Sequence, residues 1–354
     1  MNNTNDNLLD QVDSLLPLIR QDAHIAAQQG HLTDAVLDGL FDLRLFRLFI
    51  ARAYNGQGAD LPSALRIFEK IASADGATGW LVMIGAGGGL FSGFIEKDAA
   101  AQIFTPEKAV IAGSGSPLGS AQTIADQYRV SGRWPYASGA YHATWFTANC
   151  QLDKEPDKII SIAVAKEHVT IHDTWSVMGM QATGSHDFSI EPTSIDKSYS
   201  FNLFAEPLID EPIFYCPLLS LAHLTFASVA LGIASNALRL FAEFSQQKGT
   251  FTQADTKQAY HQAMQSFSQS QQAFYHTADK SWQALVTHRN LDEALVKEVE
   301  QVCLDAVHNC LHAIDTLKTH VGMLVVFNDS EFGRAWRDLH VLSQHALLKK
   351  TARQ

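Results

Sequence analysis

The hydrophobic pattern changes period twice along the chain and divides it into a helical, a β-rich and a second helical segment. In the first, Leu8, Leu9, Val12, Leu15, Leu16, Leu18 and Ile19 recur at helical spacing, with Pro17 expected to kink or break the helix. Thr33-Asp34 reads as the cap of a second helix carrying Val36, Leu37, Leu40 and Phe41. The apolar, arginine-dotted run 43–50 leads into a Gly-rich loop, 54–60, before Pro62 opens another helix. The run GAGGGLFSGF (85–94) follows no strand and lacks the lysine of a nucleotide loop. Its glycines read instead as room for a ligand or a close helix crossing.

From about residue 105 to 200 the period shortens. Residues 109–112, 127–130, 145–150, 159–164 and 169–172 read as strands, and GSGSPLGSAQTIADQ (113–127) as a polar loop between the first two. After Cys216 long helical periodicity returns over 221–244, 260–286 and 291–320, lengths that suit an antiparallel four-helix bundle. The polar face 265–272 within it reads as solvated. The pattern gives an α+β chain in three domains: residues 1–104 helical, 105–210 β-rich, and 211–354 a helical bundle.

Composition narrows the function. With 46% apolar and 18% charged residues, the 354-residue chain is an ordinary globular protein with a large core. A net charge of −11 argues against nucleic acid or an anionic membrane as a partner. The stretch 79–94 is too short and Gly-rich to span a bilayer, and the acidic, polar start is not that of a signal peptide; a cytoplasmic location is expected. The four cysteines show no zinc spacing and read as reduced, buried thiols. His308 and His312 lie one helical turn apart without matching carboxylates, so no metal site is expected.

The densest segment is GRWPYASGAYHATW (132–145), with an aromatic pair, Trp134 and Tyr136, beside Ser138 and Gly139. Small hydroxyl residues next to a glycine let the backbone approach a planar ligand that aromatic rings can wall. Thr183, Gly184 and Ser185 repeat that logic within DTWSVMGMQATGSHDFSIE (173–191). Together the two turns offer hydrogen bonds to the edge of a flavin ring.

In this order, helices, YRVSGRWPYASGAYHATW, DTWSVMGMQATGSHDF and a helical bundle, the chain resembles the acyl-CoA dehydrogenase superfamily. It is most similar to the two-component flavin-dependent monooxygenases. Trp134, Tyr136, Ser138, Gly139, His142 and Trp145 match one family motif; Gly179, Thr183, Gly184, Ser185 and Asp187 match a second. Gln181 and Ala182 stand where an Arg and a Gly are usual. ADGATGW (74–80) and EFGRAWRDLHVLSQH (331–345) complete the resemblance, the latter through Arg334, Trp336, Arg337, Asp338 and His345.

The resemblance implies an acyl-CoA dehydrogenase-like fold: an N-terminal helical domain, a central β-barrel-like domain and a C-terminal four-helix bundle. It implies reduced FMN or FAD from a separate flavin reductase, oxygenation of a small organic substrate through a flavin C4a-hydroperoxide, and a homotetramer or homodimer. Trp134, Tyr136, Ser138, Gly139, Thr183, Gly184, Ser185 and Arg334 would bind the flavin, with His345, Ser185 and Ser138 as catalytic residues. His142 is expected to hold its loop by hydrogen bonding, and Arg337 and Asp338 to form a helix ion pair. Two alternatives remain: an acyl-CoA dehydrogenase-like FAD enzyme, and a flavin-binding or structural homologue without catalysis. Against the first, Ala222-His223 and the tail Ala346–Lys350 offer no carboxylate base. The substrate-contacting His that phenol-hydroxylating relatives carry about two turns after Trp80 falls in Gly87-Gly88-Gly89, which speaks against a phenol.

Overall fold

A computed structural model of the chain describes residues 3–349. Met1, Asn2 and residues 350–354, where the expected first and third domains begin and end and where Lys350 falls, lie outside the described residues. The α+β architecture is as expected. Five helices come first: α1 (Asn3–Gln29), α2 (Asp34–Asp42), α3 (Leu61–Ala72), α4 (Gly76–Gly88) and α5 (Lys97–Phe104). The sheet follows, as β1 (Ile111–Ile124), β2 (Gln127–Ala137), β3 (Trp145–Leu152), β4 (Glu155–Ala165), β5 (Thr170–His172), β6 (His186–Asp196) and β7 (Ser200–Phe201). The chain then returns to helix in α6 (Leu218–Gln247), α7 (Ala254–His288), α8 (Glu293–Val321) and α9 (Glu331–Leu342).

Side-chain caps fix where the helices start. Thr33, Asp60, Asp75, Asp292 and Ser330 each accept a backbone N–H from the first turn that follows. Pro17 does not break α1, because Val12, Leu15, Leu16 and Ile19 bury one face of the helix on both sides of it. In the arginine-dotted run, Arg47 is buried and donates to the carbonyl oxygens of Tyr54, Phe104 and Pro106, tying the start of the chain to the approach to the sheet.

The seven-stranded sheet has the order β5-β6-β2-β1-β3-β4-β7. The β1–β3 pair is parallel and its other pairings are antiparallel. The expected polar loop 113–127 is instead mostly β1. Gly115, Ser116, Pro117 and Leu118 fall in a register shift between Ser114 and Gly119, and pairing resumes beyond it. Breaker residues ended the expected strand, whereas the fold absorbs them in a bulge.

Period-two alternation gives the sheet two different faces. Phe146, Ala148 and Cys150 point into its own core with Trp134 and Phe188. Thr147 and Asn149 point the other way, toward the helices. The helices of both ends share one core, in which α3 and α4 pack on α6. Helix α6 is apolar and long enough to cross a membrane, yet 78% of its apolar window is buried inside the fold. All four cysteines are free and buried, and burial pushes the Cys150 and Cys216 thiols up to about 12.

Candidate functional site

Helix α4 organises the site. Trp80, Met83, Ile84 and Gly87 lie at helical spacing on one face. The first meets the two Ser/Thr turns; the other three line a cavity. Between these regions lies an aromatic layer: Phe226 of α6 sits 4.8 Å from the Trp80 ring and 4.6 Å from the His345 ring.

On the first side four polar side chains are in series. Trp80 Nε1 donates to Ser138 Oγ at 3.0 Å, Ser138 and Ser185 hydroxyls are 2.8 Å apart, Ser185 and Thr183 hydroxyls 2.7 Å, and Thr183 Oγ1 donates to the Met180 carbonyl at 2.8 Å. Both ends force the direction, since an indole N–H only donates and a carbonyl only accepts. Thr183 gives its proton to Met180, so Ser185 donates to Thr183 and Ser138 to Ser185. Every hydroxyl proton is committed; what remains on Ser138 and Ser185 is a lone pair each.

The backbone around the chain is over-determined. Gly139 and Gly184 sit at φ +78° and +48°, and the Gly139 N–H donates to the Thr183 carbonyl at 2.9 Å, locking the two turns together. Ala182 packs against Ala26 and Ala77, which explains the small residue there, and exposed Gln181 donates to the Val177 carbonyl. Buried Asp338 accepts the Met180 N–H and so anchors the turn to α9. Burial and the neighbouring Asp75 raise the Asp338 carboxyl above its usual range, against the pull of Arg334 and Arg337.

The structure gathers Ser138, Gly139, Thr183, Gly184, Ser185 and His345 as the sequence suggests, and it moves three other residues. Trp134 is not a flavin wall: it is fully buried in the sheet core, stacked 5.1 Å from Phe188. A register shift between Trp134 and Ala137, with Tyr136 at φ 67°, turns Tyr136 outward instead, 68% exposed and edge-on to Trp175 at 6.3 Å. Arg334 turns to Asp75, 3.7 Å away. Arg337 donates to the carbonyls of Phe327 and Asn328, so the expected Arg337–Asp338 pair is replaced by the Asp338–Met180 anchor. His142 packs on Phe46 at 5.5 Å and beneath Gly139, holding its loop by packing; burial, then Lys166 and His31, drop its pKa to about 4.

His345 caps the short turn 346–348, its Nδ1 accepting the Leu347 N–H at 3.3 Å. This bond assigns the neutral proton to Nε2. Burial, then His223, lowers the His345 pKa. His223, unassigned from sequence, donates from Nε2 to the Leu347 carbonyl at 3.0 Å and so steadies the same turn from α6. The sequence carried no signal for this pairing, because the two histidines lie on separate elements.

Beyond the aromatic layer lies a cavity of about 340 Å³. One face of α6 (Leu218, Leu221, Ala222, Thr225, Phe226) forms a wall, and the sheet supplies Gly113, Thr147, Asn149 and Ser161.

Residues 224–350 match the acyl-CoA dehydrogenase C-terminal domain. An indole-3-acetate monooxygenase of Acinetobacter baumannii is 24% identical over 95% of this chain and 90% of its own length. The flavin-dependent monooxygenase oxygenase subunit HsaA of Rhodococcus jostii is 25% identical over 96% and 94%. The structure of XiaF from Streptomyces, in complex with FADH2 and glycerol, has a TM-score of 0.89 at 21% identity, covering 98% of this chain and 92% of that one. Over residues 224–350 the chain is thus similar to the C-terminal domain of acyl-CoA dehydrogenases. Over nearly its whole length it is similar to flavin-dependent monooxygenases such as these.

Proposed function

We propose that the chain is the oxygenase component of a two-component monooxygenase. Reduced FMN or FAD delivered by a separate reductase is held at the hydroxyl chain, and one oxygen atom passes to a small organic substrate in the adjoining cavity. A cytoplasmic homodimer or homotetramer is part of the proposal. The exposed apolar residues Met323, Val326 and Phe327 support it as a surface an assembly would bury.

The direction of the hydroxyl chain carries the reading. When bound, reduced flavin supplies the electrons that activate oxygen and, unlike the oxidised form, an N–H at N5. Ser138 and Ser185, their own protons committed, accept from such an N–H and offer nothing to a bare nitrogen. The outward ring of Tyr136 provides an aromatic rim. In its neutral form His345 presents the N–H at Nε2 as a hydrogen-bond donor beside the cavity, whose walls are largely apolar. The dehydrogenase alternative needs a positioned base, and among the described residues no carboxylate lines the cavity.

The test is anaerobic titration of the protein with FMN and FAD, each in reduced and oxidised form, followed by mixing with oxygen. Reduced flavin is expected to bind at least about tenfold more tightly. In Thr183→Val the Ser185 proton is released toward the ligand and this preference narrows, while in His345→Ala binding persists and oxygen transfer fails. Tighter binding of oxidised flavin, or anaerobic bleaching of bound FAD by an acyl-CoA, overturns the reading.

A further inference from the structure

The cavity's chemistry is one-sided. Among the described residues, none of the side chains lining it is charged. Its walls are hydrocarbon, including Met83, Leu90, Phe91, Leu221 and Phe226. Its polar side chains on the sheet are Ser114 of β1, Thr147 and Asn149 of β3 and Ser161 of β4; Asn149 pairs directly with Ser161 across the strands and Thr147 lies two residues away on the same face.

This end is partly satisfied. Ser161 Oγ donates to Asn149 Oδ1 at 2.7 Å, and Asn149 Nδ2 donates to the Gly115 carbonyl at 2.9 Å. Asn149 Nδ2 has a second hydrogen, and the Ser161 oxygen has lone pairs to offer. A neutral hydroxyl or carbonyl exchanges its water hydrogen bonds for these. A carboxylate entering the same space gives up part of its hydration and meets no cation in return, which disfavours it.

We propose that the cavity selects an uncharged, largely apolar molecule with one neutral hydrogen-bonding group, held by Asn149 and Ser161, and rejects carboxylated analogues. Calling that molecule the substrate rests on the oxygenase reading; the selectivity does not. The proposal separates this chain from the relative whose name contains a carboxylate, indole-3-acetate.

The test uses one ring skeleton with three end groups. Binding of naphthalene, naphthol and naphthoate to the flavin-free protein is measured by equilibrium dialysis at about pH 7, where a carboxylate is ionised. Naphthol is expected to bind at least about tenfold more tightly than naphthoate. Asn149→Leu is expected to erase the advantage of naphthol over naphthalene while leaving naphthalene within about twofold, and Ser161→Ala serves should that variant not fold. Gly87→Leu, entering open space in the cavity, is expected to weaken all three. Naphthoate binding as tightly as naphthol, an unchanged naphthol-to-naphthalene ratio in both polar variants, or no binding of any probe overturns the proposal. Titrating the same protein with reduced and oxidised FMN separates the two claims. Tighter binding of oxidised FMN with the expected probe order sinks the oxygenase reading alone, whereas an inverted probe order with reduced FMN preferred sinks only the selectivity.

Discussion

Helix α4 carries two regions built on opposite rules. In its second turn Trp80 enters a chain in which every hydroxyl proton is committed and two glycines with positive φ lock the backbone. Two turns later Gly87 faces open space among uncharged walls. The first region recognises by the direction of its hydrogen bonds and must be held rigidly. The second recognises by volume and by the absence of charge, so a substitution there changes what fits with little effect on the fold. In the proposed function, fixed cofactor chemistry and adaptable substrate choice are thereby separated along one helix face.

The comparison breaks most severely at the anchor of the rigid region. Asp338→Ala leaves the Met180 N–H without its acceptor and Arg334 facing Asp75 alone. A loss of about 1–3 kcal/mol in urea unfolding is expected, the cost of leaving a buried donor unsatisfied. Stability within about 0.5 kcal/mol of the parent, as for an ordinary surface change, would show that the turn holds without its α9 anchor.

His142 gives the next largest effect and fixes its sign. Its folded pKa of about 4 lies below the unfolded value of about 6.5. Between these values the unfolded state binds the proton and the native state does not, so stability rises with pH across that window. Acidification from about pH 6.5 toward about pH 4 is expected to remove up to about 3 kcal/mol, with Lys166 and His31 adding to the cost of charging the ring. His142→Gln should flatten that slope in urea unfolding followed across the window. An equally steep slope in the variant assigns the acid sensitivity elsewhere.

Much of this was legible in the sequence, for identifiable reasons. Three segments followed from the period of the apolar residues, and the meeting of Ser138 with Ser185 followed from two motifs in family order. Trp134 and Tyr136 share a parity on β2, so a reading by alternation puts both rings on one side. The shift between Trp134 and Ala137 reverses that and turns Tyr136 outward while Trp134 stays in the core. Asp338 was visible in its motif, but its partner Met180 lies 158 residues away in the chain. The end group of the cavity needed the β3–β4 register, which no local spacing of Asn149 and Ser161 encodes.

The smallest effect sharpens the comparison most cleanly, because neighbouring glycines answer in opposite ways. A Cβ on Gly87 meets nothing within 4 Å, whereas one on Gly89 would lie 2.8 Å from the backbone nitrogen of Ile50. Gly87 is inside α4, where alanine in place of glycine favours the helix by about 0.8–1.0 kcal/mol. Gly87→Ala is therefore expected to raise stability by about 1 kcal/mol and to trim the cavity slightly. Gly89→Ala must push backbone against backbone and is expected to lower the unfolding midpoint. Thermal unfolding of the two variants side by side decides the point. Opposite shifts identify Gly87 as a glycine whose missing side chain leaves room for a ligand and Gly89 as one that the crossing of the chain at Ile50 requires, while parallel shifts would mean that the run serves helix packing throughout.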